Sequence, residues 1–118
     1  MDNNNSQILI YQTEDGQTKI DVRLQDETVW LTQRMLAELF QTTKQNISAH
    51  LINIYQEGEL QEDRTVKKFL TVQTEGTREV SREIEYYNLD AIISVGYRIQ
   101  SHVATRFRQW ATQHIREY

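Results

Sequence analysis

The chain has 118 residues, a formal net charge of −4, 38% hydrophobic residues and no cysteine. That length supports one domain around a small core, and the lack of thiols excludes a disulfide framework or a thiolate metal site. No run of about 18 apolar residues is present to cross a membrane, and the polar, acidic opening MDNNNSQ is unlike a secretion signal, so a cytoplasmic protein is expected.

Residues 1–7, rich in Asn, predict a disordered tail, and residues 8–118 a single domain. Ile8 to Gln12 reads as a short strand, and Asp15-Gly16 within Glu14–Gln17 suits a tight hairpin turn. From Thr18 to Gln25, Ile20, Val22 and Leu24 alternate with Lys19, Asp21 and Arg23, the pattern of a half-buried strand. Asp26-Glu27 then turns the chain into a brief strand, Thr28 to Leu31, whose Trp30 belongs in the core.

Thr32 to Tyr55 holds two helical patterns. Met35, Leu36, Leu39 and Phe40 recur at helical spacing, as do Ile47, Leu51 and Ile54. Gln41-Thr42-Thr43 between them has the length of the turn in a helix–turn–helix, and Ala37 sits where two tightly crossing helices leave room only for a small side chain. Thr32 and Thr43 are the N-cap candidates. Gln41 stands where such turns often have Gly, which requires a less common backbone conformation or a wider turn. From Leu39 through Gln56 there is no Asp or Glu, in a chain with 17 acids. A surface that meets phosphate oxygens needs that absence. The outward face of the second helix carries Lys44, Gln45, Asn46, Ser48, Ala49 and Asn53. Gln and Asn can pair with adenine, and Lys can reach guanine or phosphate. A helical hairpin that touches no DNA can show the same spacing.

Gly58 marks the helix exit and Gln61 to Arg64 a polar connection. Val66–Thr74 and Glu79–Tyr87 are strand-like runs on either side of Gly76, a β-hairpin. A hairpin after the helix pair is the layout of a winged helix. It would set Lys67, Lys68 and Arg78 along a phosphate backbone, diluted by Glu79, Glu83 and Glu85. Asn88 caps the next helix with Asp90 in its first turn; its stripe is Leu89, Ile92, Ile93 and Tyr97, and Gly96 loosens its end. Ser101 caps the last helix, with a stripe of Val103, Phe107, Trp110, Ala111 and Ile115 and with Arg106, Arg108 and Arg116 on its flanks. The segments 39–56 and 91–116 are both acid-free and basic, and are expected to share one face. The helical pattern still runs at Tyr118, which suggests the N-terminal part of a longer protein.

Patterns of catalysis are missing. His50, His102 and His114 lack the spacing of a helical zinc site, and no GxSxG, Gly-rich phosphate loop or GKS/T occurs. A nucleophilic Tyr86, Tyr87 or Tyr118 would need Arg and His converging on it, and nothing in the spacing enforces that. No enzyme activity, metal or small-molecule cofactor is expected.

The stretches TVWLTQRMLAELF, TTKQNISAHL, YQEGEL, YYNLDAIISVGYRIQSHVATRFRQWAT and IREY closely resemble the N-terminal domain of RhuM-type virulence proteins, from about Ile8 to Tyr118. More distantly, the strand–helix pair and FRQWAT look similar to the Bro-N and KilA-N domains of phage antirepressors. The resemblance implies a cytoplasmic bacterial protein with a DNA-binding N-terminal domain, followed in some relatives by a Fic-type domain. The helix pair also resembles that of phage repressors, in which the first residue of helix one and the opening of helix two touch DNA. Those positions here are Gln33 and Thr43, Lys44, Gln45 and Asn46.

The expectation is an α+β, winged helix–turn–helix-like domain that binds double-stranded DNA and regulates transcription. Lys44, Gln45 and Asn46 would reach base edges. Thr32, Gln33, Thr43 and Ser48 would fix the backbone, and Lys67, Lys68, Arg78 or the arginines of 98–108 would add phosphate contacts. A homodimer is expected, formed by the apolar side of the last helix or by residues beyond Tyr118. The rival is a protein-interaction module of the antirepressor kind, which the negative net charge favours.

Overall fold

Alternation along one strand sets the architecture. In β2 (Lys19–Gln25), Ile20, Val22 and Leu24 are buried while Lys19 and Asp21 face water. The computed structural model describes residues 6–117. In it β2 belongs to a five-stranded sheet of order β1-β2-β3-β5-β4, antiparallel throughout. The other strands are β1 (Gln7–Gln12), β3 (Thr28–Leu31), β4 (Val66–Glu75) and β5 (Arg78–Asn88). The helices are α1 (Gln33–Leu39), α2 (Lys44–Gln56), α3 (Glu62–Thr65), α4 (Leu89–Ile99) and α5 (Ser101–Glu117). The protein is therefore α+β.

The main core joins the Ile20-Val22-Leu24 face of the sheet to the helices. Leu36, Leu39 and Phe40 enter it from α1, Ile47, Leu51 and Ile54 from α2, Ala91, Ile92 and Val95 from α4, and Ala104, Phe107 and Ala111 from α5. Burying the larger of these side chains contributes roughly 1.5–3 kcal/mol each before the ordering entropy is subtracted. Helical spacing is thus enough to place the helices, because each stripe has a single apolar surface to cover.

Trp30 is buried as expected, on the face of the sheet opposite the main core, since Val29 and Leu31 on either side of it point to that core. There it packs edge-to-face with Phe69, which meets Tyr86 in the same way, at centroid distances of 5.5 and 5.2 Å. Arg23 lies over Phe69 and Tyr86 at 4.5 and 5.1 Å. The connection Gln61–Arg64 contains the single turn α3, tied to α2 by a 2.8 Å hydrogen bond between the Thr65 and Tyr55 hydroxyls. Gln7 opens β1 and Ser6 bonds to Arg23 and Gln25, so the expected tail does not reach them; residues 1–5 lie outside the described residues. Tyr97 is exposed and leaves the stripe of α4 to Val95 and Gly96. Ser101 is the first residue of α5 and not its cap; the Gln100 carbonyl accepts the Ala104 N–H at 3.1 Å. The apolar side of α5 is enclosed, with Phe107 and Ala111 buried and Val103, Trp110 and Ile115 packed against the core. Among the described residues no helix is long and apolar enough to cross a membrane.

Candidate nucleic-acid interface

The α1–α2 pair is fixed at each end by its own side chains. The Thr32 hydroxyl accepts the Met35 N–H at 3.2 Å, and the Thr43 hydroxyl accepts the Asn46 N–H at 3.0 Å. Each cap satisfies an otherwise orphaned donor of a helix N-terminus. Between the helices the turn does not widen. Gln41 takes the left-handed conformation, φ +53°, while Thr42 N–H reaches the Ala37 carbonyl at 2.9 Å and Gln41 N–H that of Glu38 at 3.4 Å. This is a Schellman exit with glutamine where glycine is usual. The Gln100 amide donates to the Phe40 carbonyl at 3.1 Å and so ties the turn to the α4–α5 corner.

With Ile47, Leu51 and Ile54 turned inward, the rotation of α2 is set. Lys44, Gln45, Asn46, Ala49 and Asn53 are exposed and Ser48 is half-buried. Other predicted contact residues are already engaged. Thr32 and Thr43 act as caps, and Gln33 donates to the Tyr87 hydroxyl at 2.9 Å. One amide N–H of Asn46 goes to the Thr42 hydroxyl at 2.9 Å, which holds that side chain in place and leaves its carbonyl oxygen without that tie.

Two arginines of the expected basic face shared by residues 39–56 and 91–116 are held by carboxylates. Arg98 donates to both Glu57 and Glu59 at 2.8 Å, and Arg106 pairs with Glu14 at 3.0 Å. The cause is topology: the acidic exit of α2 and the β1–β2 turn both come to lie against α4 and α5. Arg98 and Ser94 hold the Glu59 carboxyl below the usual range by hydrogen bonding to it. Lys67, expected on phosphate, meets Asp26 in the β2–β3 turn at 2.6 Å. Lys68 and Arg78 are exposed, but their cross-strand partners are Glu85 and Glu75. These pairings could not be read from the sequence, because Glu14 and Arg106 stand on segments at opposite ends of the chain and only the fold joins them.

The β4–β5 hairpin does not extend a basic surface. It faces α1 across an open groove whose walls carry Arg34, Glu38 and Lys44 on one side and Glu75, Glu83 and Glu85 on the other. The tyrosines considered as nucleophiles serve packing: Tyr86 lies in the aromatic cluster and Tyr87 in the main core, its phenol pushed up by burial. Tyr118 lies outside the described residues.

A family model, the virulence protein RhuM family, matches residues 64–118. The matched segment runs from the end of α3 through the hairpin, α4 and α5, and the helix pair precedes it. No curated protein and no solved structure matches the chain.

Proposed function

We propose that this chain, with its RhuM-family segment at residues 64–118, is a double-stranded DNA-binding module of a cytoplasmic bacterial regulator, working as a winged helix–turn–helix. The observation that carries the reading is the outward face of α2. Lys44, Gln45, Asn46, Ala49 and Asn53 are exposed there, and no carboxylate occurs from Leu39 to Gln56. Gln45 and Asn46 have the groups to pair with adenine, Lys44 to meet guanine or phosphate, and Ala49 to touch a thymine methyl. The amino end of α2 adds its own positive potential toward phosphate. The cations of α4 and α5 that are held by Glu14, Glu57 and Glu59 contribute little. One module therefore makes few phosphate contacts, and two copies on a paired site would raise the affinity. The role needs no catalysis, metal or cofactor.

The test is selection of bound duplexes from a random pool, followed by a salt titration of the selected duplex. A conserved motif and an affinity that falls steeply with salt are expected. No enrichment, together with no retention on heparin at low salt, would remove the reading. The ion pairing of Arg98, Arg106 and Lys67 favours a second reading, an antirepressor-like module that binds protein.

A further inference from the structure

The strand β5 is longer than its neighbour. It runs from Arg78 to Asn88, yet β3 pairs only with Tyr87 and Asn88, because β3 stops at Leu31 where Thr32 caps α1. From Arg78 to Tyr86 it pairs with β4 on one side and, among the described residues, with no strand on the other. Exposed strand edges template pairing with another chain, and proteins cover or blunt them. Among the described residues α1 meets this edge only near its end, where Gln33 donates to the Tyr87 hydroxyl and Met35 packs against the cluster of Tyr86. The edge borders the groove between the hairpin and α1, which Met35, Ile84 and Tyr86 also line, Ile84 and Tyr86 from the sheet face opposite Glu83 and Glu85.

We propose that this groove receives an extended, basic segment of a partner protein, which adds to β5 as a strand in the position β3 vacates. Backbone hydrogen bonds to Glu79–Tyr86 supply the pairing, and alternate side chains of the segment enter the groove. Charge selects the segment. Of the groove's charged residues four are acidic, Glu38, Glu75, Glu83 and Glu85, and two are basic, Arg34 and Lys44. Glu75 is engaged by Arg82 at 2.6 and 2.8 Å. Glu83 and Glu85 are two residues apart on β5 and point to the same face. They match a segment with Lys or Arg at every second position. The same carboxylates repel a phosphate backbone, so the β5 side of this groove and the face of α2 serve different partners although Lys44 borders both, and the inference stands without the DNA reading.

The test uses an amide-resolved NMR titration of the whole chain with a blocked eight-residue peptide that alternates Lys and Val. The amides of Glu79–Tyr86 should shift, and binding should strengthen as salt is lowered. The Glu83→Lys/Glu85→Lys variant, with the spectrum of a folded protein, should bind at least tenfold more weakly. So should a peptide N-methylated at the residues that pair with β5. No response in β5 at millimolar peptide, or equal binding of a peptide with Glu in place of Lys, would overturn the proposal. So would unchanged binding of the N-methylated peptide, which would show that no strand is added. Duplex DNA that shifts these same β5 amides would reassign the groove to nucleic acid. Duplex that shifts only α2, or nothing, leaves the peptide result standing, so the two readings fail separately.

Discussion

Gly96 on α4 lies against the ring of Phe40 so closely that a Cβ at position 96 would stand 2.5 Å from Phe40 Cζ and 2.7 Å from Ala104 Cβ. The contact joins the end of the first helix to both C-terminal helices. Its backbone is not left-handed, so the requirement is space alone. Phe40 is fully buried. Gly96→Ala should therefore destabilise the fold by about 2–3 kcal/mol through overpacking, despite the better helix propensity of Ala. Urea unfolding measures it. A Phe40→Leu/Gly96→Ala double variant should lose less than the two single changes added together, because the new methyl then has space.

The exits of α1 and α2 share one hydrogen-bond pattern with different residues at the left-handed position. At α2, Gly58 (φ +76°) donates to the Tyr55 carbonyl and Glu59 to that of Ile54, at 3.2 and 3.0 Å. At α1 the equivalent position is Gln41, at φ +53°. A Cβ there costs about 1–2 kcal/mol, offset in part by the larger unfolded-state entropy of Gly. Gln41→Gly should stabilise the protein by about 0.5–1 kcal/mol, and Gly58→Ala should destabilise it by about 1 kcal/mol. Thermal melts that moved the other way would show that the side chain of Gln41 makes a contact worth more than the strain.

Periodicity made the elements legible. Ile20-Val22-Leu24 and the stripes of α1 and α2 lie where their spacing puts them, since one apolar face allows one placement. The caps Thr32, Thr43 and Asn88 were equally legible, because capping is chemistry within four residues. The burial of Trp30 is legible from its size but its face is not, since β3 is buried on both faces and alternation cannot then say which face is which. The close contact at Gly96 is not legible, because a close approach is a property of two helices and not of one. The basic surface was least legible: charges add along a sequence, but Arg98, Arg106 and Lys67 find carboxylates only once the fold is formed.

The Arg98–Glu59 contact predicts a pH effect with a definite sign. The folded-state value of the Glu59 carboxyl is depressed, chiefly by the hydrogen bond from Arg98. Its stabilising contribution is complete above the ordinary Glu value of about 4.3. It is lost as pH falls through that value to the lower folded one. Glu59→Gln should therefore lower thermal stability near pH 7 by the small amount an exposed pair contributes, and the same amount should disappear from the loss between roughly pH 5 and pH 3. An unaltered pH slope in the variant would mean that the pair does not persist in solution.

Three substitutions separate base reading from charge on the proposed DNA face. Gln45 is exposed on α2 without an intramolecular tie among the described residues, so Gln45→Ala should remove about 1–3 kcal/mol of discrimination at one base pair and leave non-specific binding unchanged. Lys44→Ala should weaken binding to all sequences and lower the salt slope by about one if the ammonium meets a phosphate. Lys67→Ala should do neither, because that ammonium is held by Asp26 at 2.6 Å and lies over the ring of Phe69. Titrations of the selected duplex at several salt concentrations measure all three. If Lys67→Ala lowered the slope as much as Lys44→Ala did, the Asp26 pair would have to open on binding and the hairpin would join the interface. If neither Lys44→Ala nor Gln45→Ala had any effect, α2 would not be the reading helix.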